Sequence, residues 1–328
     1  DEAILCLTHR RGGGIERYLK DRGRRLREDG KGLVTMSALA DMARKTASVA
    51  LNSPDPIDLP NLVFDCDWAR HGDNEALLGA LETLNIGLIE VHSLVDWPDT
   101  SLEYISVLSR RLGAAYDVML HDYTAVCPRI ILVDQSGLYC GEKGESFCRT
   151  CLSRRPDDWC RVHGRRPFRS RRMARPWRPA VDIAAWRRAY GVVLDGARRV
   201  CAPSVDTADR FADYFPDLSI DVEPHPETLP VFETPLAQPY SGQGPIRVAI
   251  IGAIGPHKGS RILKAMALDA LRRGLDLQFI VIGRTNLNSA LDALSNVVIT
   301  GPYQEEYVYG IIEPVSYTHL RSHETLGS

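Results

Sequence analysis

Three short stretches of this 328-residue chain carry residue types that could do chemistry. Gly12-Gly13-Gly14 follows an apolar run and precedes a segment of helical character. Glycine backbone can approach a phosphate closely, and a helix N-terminus offers N–H groups and partial positive charge to an anion. The spacing is not G-x-G-x-x-G, which disfavours a dinucleotide fold. His121-Asp122-Tyr123 ends a short strand-like run, at the edge where open α/β sheets bind ligands. His92 ends a neighbouring run in the same way and is the weaker candidate. The third stretch runs from Gly252 to Ser260 and holds Lys258-Gly259 between a strand-like run and a helical one. Lys258 is a point charge suited to a diphosphate, reinforced by the dipole of the following helix. It is not a Walker loop. The plain alternative for each stretch is a capped turn or a structural histidine without a ligand.

Cysteine adds a fourth pattern. Five of the eight cysteines fall between Cys127 and Cys160, and Cys127, Cys140, Cys148 and Cys151 include a C-x-x-C pair. Four thiolates suit tetrahedral zinc, and a local cluster in a large chain without an export signal reads better as metal ligation than as disulfides. The spacing is not that of a standard finger. Cys160 could replace Cys127, and ordinary thiols are the alternative. Ten arginines lie between Arg154 and Arg178, interleaved with Trp159, Phe168 and Trp177. They read either as a solvated loop or as a patch for anionic lipid head groups at a membrane surface.

The remaining composition is that of a soluble globular protein, with 44% hydrophobic and 25% charged residues and a formal net charge of −2. Nothing global in that balance calls for nucleic acid as a partner. No apolar stretch is long enough to cross a bilayer, and the opening residues are not a signal peptide. A cytoplasmic location follows, with peripheral contact at the inner membrane face open.

The elements that must position these residues alternate. Strand-like runs at 4–7, 33–36, 62–64, 86–91 and 117–120 are separated by helical segments at 15–26, 75–84 and 102–112. This rhythm predicts a parallel α/β sheet. It breaks at about 127–178 and resumes with a helix at 183–194, a strand at 200–203 and a helix from 205. A second α/β opening starts at Ile246, with a helix from Ser260 and strands at 277–282 and 296–300. The length favours two domains. We read residues 1–235 as a first Rossmann-like domain with an insertion at about 127–178, 236–245 as a linker and 246–313 as part of a second such domain.

Taken in order, these stretches resemble the GT-B glycosyltransferases, in particular the family-4-like group that builds bacterial surface polysaccharides. Thr8 to Arg17 resembles that family's first glycine loop, His121-Asp122-Tyr123 with Cys127-Pro128-Arg129 its HD…CPR segment, and Ala202-Pro203-Ser204 with Pro224-His225-Pro226 the close of its first domain. Ile251 to Gly259 resembles the second-domain phosphate loop, and Gly301-Pro302-Tyr303 a later strand end. The resemblance implies two Rossmann-like domains and transfer of a sugar, with retention of configuration, from a nucleotide-sugar donor to a glycan or lipid-linked acceptor. By the same resemblance Gly12, Gly13, Gly14, Lys258 and Gly259 would bind the donor, His121 would lie beside the reacting sugar, and no catalytic metal would be needed.

Two departures stand out. The family commonly has Arg where Ala253 stands, and its pair of glutamates seven residues apart would fall beyond the last recognisable strand. Residues 314–328 show neither strand alternation nor a helical stripe and resemble translated sequencing-adapter read-through. They are expected to be a non-native tail, with the second domain incomplete and this chain inactive. Competing readings are a nucleotide-sugar epimerase or other two-Rossmann enzyme, a non-catalytic nucleotide-sugar binder, and a zinc-ribbon-like nucleic-acid module. The last explains 127–178 but not the α/β halves.

Overall fold

The structure, a computed structural model, describes residues 2–10, 13–40, 47–52, 62–66, 74–98, 101–134, 138–141, 144–153, 181–225, 240, 242–303 and 317–321. Gly12, Cys160, the arginine-rich stretch and half of the expected linker (236–239 and 241) lie outside the described residues. The described residues form two compact units. One holds those up to Leu132 with 144–153 and 181–225, and the other holds 133–141 and those from 240 onward.

The first unit is an eight-stranded sheet flanked by helices. Its strands are β1 (Ala3–Thr8), β2 (Gly32–Ala40), β3 (Ala47–Asn52), β4 (Leu62–Cys66), β5 (Ile86–Val91), β6 (Ala115–Met119), β7 (Arg199–Ala202) and β8 (Asp221–Val222), in the order β4-β3-β2-β1-β5-β6-β7-β8. The β2–β3 and β3–β4 pairings at one edge are antiparallel, and the others are parallel. β1 is buried at every residue, as its unbroken apolar run requires of a strand covered on both faces. The helices are α1 (Gly14–Glu28), α2 (Glu75–Thr83), α3 (Ser101–Leu112), α4 (Glu145–Ser153), α5 (Ile183–Asp195) and α6 (Val205–Ala212). α1 buries Tyr18, Leu19 and Leu26 against Ile4, Cys6 and Leu33. On its outer side Glu16 and Lys20 pair at 2.9 Å.

The strand order places the site. From β1 the chain steps to β2 on one side and later returns to lay β5 on the other. The carboxyl ends of β1 and β5 therefore flank a topological switch point, the place where an open α/β sheet leaves a crevice for ligand.

The second unit contains β9 (Ile246–Ile254), a 3-10 turn (Pro256–Lys258), α7 (Ser260–Arg272), β10 (Leu277–Thr285), α8 (Asn288–Asp292), β11 (Val297–Ile299) and β12 (Tyr317–Arg321). The sheet order is β11-β10-β9-β12, parallel throughout. Its core is Ile250, Ile254, Leu263, Phe279, Val281 and Leu291. The architecture is thus α/β with two parallel-sheet, Rossmann-like units.

Five elements depart from the pattern reading. β3, β8 and α8 are not predicted by it. α4 lies inside the cysteine-rich stretch that reads as irregular; Phe147, Cys148, Cys151 and Leu152 recur along its less exposed side at helical spacing. β12 is a strand where neither alternation nor a stripe is visible, with Tyr317 and Thr318 opposite Val248 and Ala249. A sheet edge offers backbone donors and acceptors that an extended segment can pair whatever its side-chain pattern.

Candidate functional site

In the first unit, the residues that end β1, β5 and β6 meet. The end of β5 is tied to β1 by His92 N–H and Ser93 N–H, which both donate to Leu7 O at 2.9 and 3.3 Å. The end of β6 is tied to β7 by Leu120 N–H donating to Cys201 O at 2.8 Å. These ties set two imidazoles side by side, with His92 Nδ1 2.9 Å from His121 Nε2. The other His92 nitrogen, Nε2, lies 3.2 Å from Glu90 Oε2. Arg22, reaching down from α1, donates to Glu90 Oε1 at 2.6 Å, and the Cys6 thiol approaches Glu90 Oε2 at 3.8 Å.

Tyr18, one helical turn before Arg22, packs its ring against His92, His121 and His225, at centroid distances of 5.5, 4.8 and 5.0 Å. The ring of His225, an exposed residue, lies 4.8 Å from that of His121. Neighbouring bonds hold the loops. Ser93 Oγ donates to Asp122 Oδ2 at 2.6 Å, Thr124 N–H to Asp122 Oδ1 at 2.8 Å, and Trp97 Nε1–H to Thr8 O at 2.8 Å. A pocket beside the histidines is lined by Val91, His92, His121, Asp122, Tyr190 and Phe211, among others.

Burial raises the Glu90 carboxyl, but hydrogen bonds donated by His92 and Arg22 outweigh it and hold the group at about 2. Glu90 is therefore a carboxylate at any physiological pH. Burial, then the neighbouring His92, His225 and His9, pushes His121 well below the ordinary histidine value, so its ring stays neutral. Burial first, and Glu90 second, push both the Tyr18 hydroxyl and the Cys6 thiol up. The cluster offers a neutral, half-buried imidazole backed by a balanced ion pair, suited to accepting or donating one hydrogen bond toward a polar ligand.

Among the described residues, the one set of three ligand-type side chains with atoms within 4.8 Å of one another is Cys6, Glu90 and His92. Their contacts are those of a hydrogen-bonded cluster converging on Glu90, with Arg22 already supplying the cation. Cys127, Cys148 and Cys151 do not form such a set. Cys148 and Cys151 lie three residues apart on α4, where Arg187 Nη2 approaches Cys148 Sγ at 3.6 Å and Cys151 is buried. Arg129 Nη2 donates to Cys151 O at 2.8 Å. Cys140 belongs to the second unit.

The glycine positions fall at helix starts. Gly13 precedes α1 with φ 88° and ψ −150°, a conformation essentially reserved for glycine, and Gly14 is the first helical residue. Gly259 precedes α7 at φ 83°. Neither helix has a side-chain cap, whereas Asn74, Asp182 and Ser204 cap α2, α5 and α6. At the start of α7 the Ser260 N–H donates to Gly255 O at 3.1 Å. Two buried hydroxyls, Thr8 Oγ1 at the end of β1 and Ser260 Oγ in the first residue of α7, have no hydrogen-bond partner among the described residues. Lys258 is half-buried, and burial lowers its ammonium from the ordinary lysine value. Ala253 is exposed near the end of β9, in register with exposed Arg284 on β10.

Of the residues singled out from sequence, His121 and His92 come together, Gly13 and Gly14 start α1, and Lys258 and Gly259 start α7. Glu90, Arg22, Tyr18 and His225 were missed as site residues. The available signals were an acid inside the apolar run Ile-Gly-Leu-Ile-Glu-Val, and Tyr18 and Arg22 four apart on one helix face.

No family model and no curated protein matches the chain. Solved structures similar to it include the catalytic domain of starch synthase IV from Arabidopsis thaliana bound to ADP and acarbose, at 9% identity over 97% of this chain and 77% of that one, TM-score 0.48. Anabaena HepE in complex with UDP and glucose is similar at 14% identity over 96% and 72%, TM-score 0.45. The pneumococcal O-GlcNAc transferase GtfA in complex with UDP and GlcNAc is similar at 9% identity over 96% and 78%, TM-score 0.49. Likeness at this level is one of general course and carries no chemistry to this chain.

Proposed function

We propose that the protein is a glycosyltransferase of the GT-B type, acting on a nucleotide-sugar donor with retention of configuration and passing the sugar to a glycan or lipid-linked acceptor. The observation that carries the reading is the neutral imidazole of His121, held at the switch point of a parallel sheet by His92 and Tyr18. In such a transfer the bond from the anomeric carbon to the leaving diphosphate breaks. A bond from the acceptor hydroxyl oxygen forms at the same carbon, and the acceptor proton leaves with the diphosphate. Charge separates between sugar and leaving group, so groups aimed at either end lower the barrier. His121 serves the sugar end by hydrogen bonding. A cationic imidazole there would oppose the positive charge growing on the sugar, so its neutrality suits the role.

Taken by itself, the start of α7 in the second unit is suited to hold a diphosphate. Lys258 supplies a half-buried charge, the Ser260 hydroxyl a donor, and the N-terminal dipole of α7 adds to both. Arg284, beside Ala253, supplies a guanidinium at the same sheet end. Gly13 and Gly14 leave the start of α1 open to a ligand in the same way.

The test is calorimetric titration of the protein with UDP and ADP. Lys258→Ala is expected to weaken diphosphate binding about tenfold or more, roughly 1.4 kcal/mol, while nucleoside binding changes little. No diphosphate binding by the wild type, or unchanged affinity in both Lys258→Ala and Arg284→Ala, overturns the reading.

A further inference from the structure

We propose that Glu90 and His92 are positioning residues that fix the tautomer of His121, holding its proton on Nε2 and presenting Nδ1 as a bare acceptor toward a ligand hydroxyl. The ligand clause rests on the reading of His121 given above, but the tautomer assignment does not.

The contact between the two histidines is an in-plane hydrogen bond. The rings are inclined by only 17°, with centroids 5.1 Å apart and nitrogens 2.9 Å apart. The centroid distance exceeds the nitrogen distance by about the sum of two ring radii, so both nitrogens lie close to the line joining the ring centres. A face-to-face stack cannot satisfy that condition. One nitrogen must donate and the other accept.

Which one donates is set from Glu90. A carboxylate only accepts, so His92 Nε2, 3.2 Å from Oε2, carries the hydrogen. Arg22 already faces that carboxylate at 2.6 Å, giving one buried cation for one buried anion. A neutral His92 keeps the balance, whereas an imidazolium there would be a second, uncompensated buried charge. With its hydrogen on Nε2, neutral His92 has a bare Nδ1, which must accept from His121 Nε2–H. Neutral His121 then has its own Nδ1 without hydrogen. The groups that could disturb this from other elements are His9, Tyr18, His225 and Glu223.

The experiment is long-range proton–nitrogen correlation NMR on the ¹⁵N-labelled full chain, which identifies the protonated nitrogen of each imidazole. The wild type is expected to show His121 as the neutral Nε2–H form from pH 8 down to about pH 6, below the ordinary histidine value of roughly 6.5. In Glu90→Gln the carboxamide can turn its NH2 toward His92 Nε2. His92 then moves its hydrogen to Nδ1, and His121 switches to the Nδ1–H form; Glu90→Asp is expected to keep the wild-type form. If Glu90→Gln does not fold, the double variant Arg22→Gln/Glu90→Gln, which removes both charges together, takes its place. An Nδ1–H or cationic His121 in the wild type, or no switch in a folded Gln variant, overturns the proposal. These outcomes are read without nucleotide, so failure of the diphosphate titration leaves the tautomer result standing.

Discussion

Replacing Arg22 by Met should remove the cation from the buried cluster while keeping the bulk of its aliphatic stem. In the wild type Glu90 is lowered from its ordinary 4.5 to about 2, which corresponds to roughly 3 kcal/mol of stabilisation. The sign follows from a lowered acid. The contribution is fully present above about pH 4.5 and disappears as the pH falls toward 2. Breaking a buried pair costs about 3–5 kcal/mol, but Arg22 is 30% exposed and water can partly replace it, so about 2–3 kcal/mol is the expected loss at pH 7. At pH 3 the variant can protonate Glu90 instead of leaving it unpaired, and the loss should shrink to about 1 kcal/mol or less.

Hydrogen exchange of the β5 amides, corrected for intrinsic rates, reports this in the first unit alone and avoids assuming one cooperative transition for two units. His121, also lowered, gives both proteins an earlier decline that begins below about pH 6.5, and this should cancel between them. Equal losses at pH 7 and pH 3, or a loss at pH 7 below about 0.5 kcal/mol, would refute the role assigned to the ion pair.

Two further tests concern backbone and cysteine. Gly13→Ala is expected to destabilise the start of α1 by about 1–3 kcal/mol, because φ 88° with ψ −150° excludes a side chain even though nothing lies within 4 Å of the added methyl. Gly259→Ala, in the milder left-handed region at φ 83°, should cost about 1–2 kcal/mol; amide exchange in α1 and α7 measures both, and no loss at either glycine contradicts the argument. Cys151→Ser should destabilise the first unit by about 1–3 kcal/mol through a buried hydroxyl. A chelator should not reproduce that loss; if it does, and stoichiometric zinc is released, Cys127, Cys140, Cys148 and Cys151 hold a structural metal.

The sequence by itself determined the alternation of strands and helices, the glycines at two helix starts, and the placement of His92 and His121 at strand ends. These are local properties. Hydrophobic periodicity and turn chemistry act over a few residues, so they can be read without knowing the partner of any strand. The tertiary structure alone decided that β5 lies beside β1 and β6 beside β5. Only that order sets His121 on His92, His92 on Glu90, and Glu90 under Arg22 and Tyr18 of α1. α4 was illegible for a related reason: its helical face is defined by what it packs against. A chain of hydrogen bonds joining residues 22, 90, 92 and 121 exists only once strand order brings them within reach, because each link is worth something only at about 3 Å.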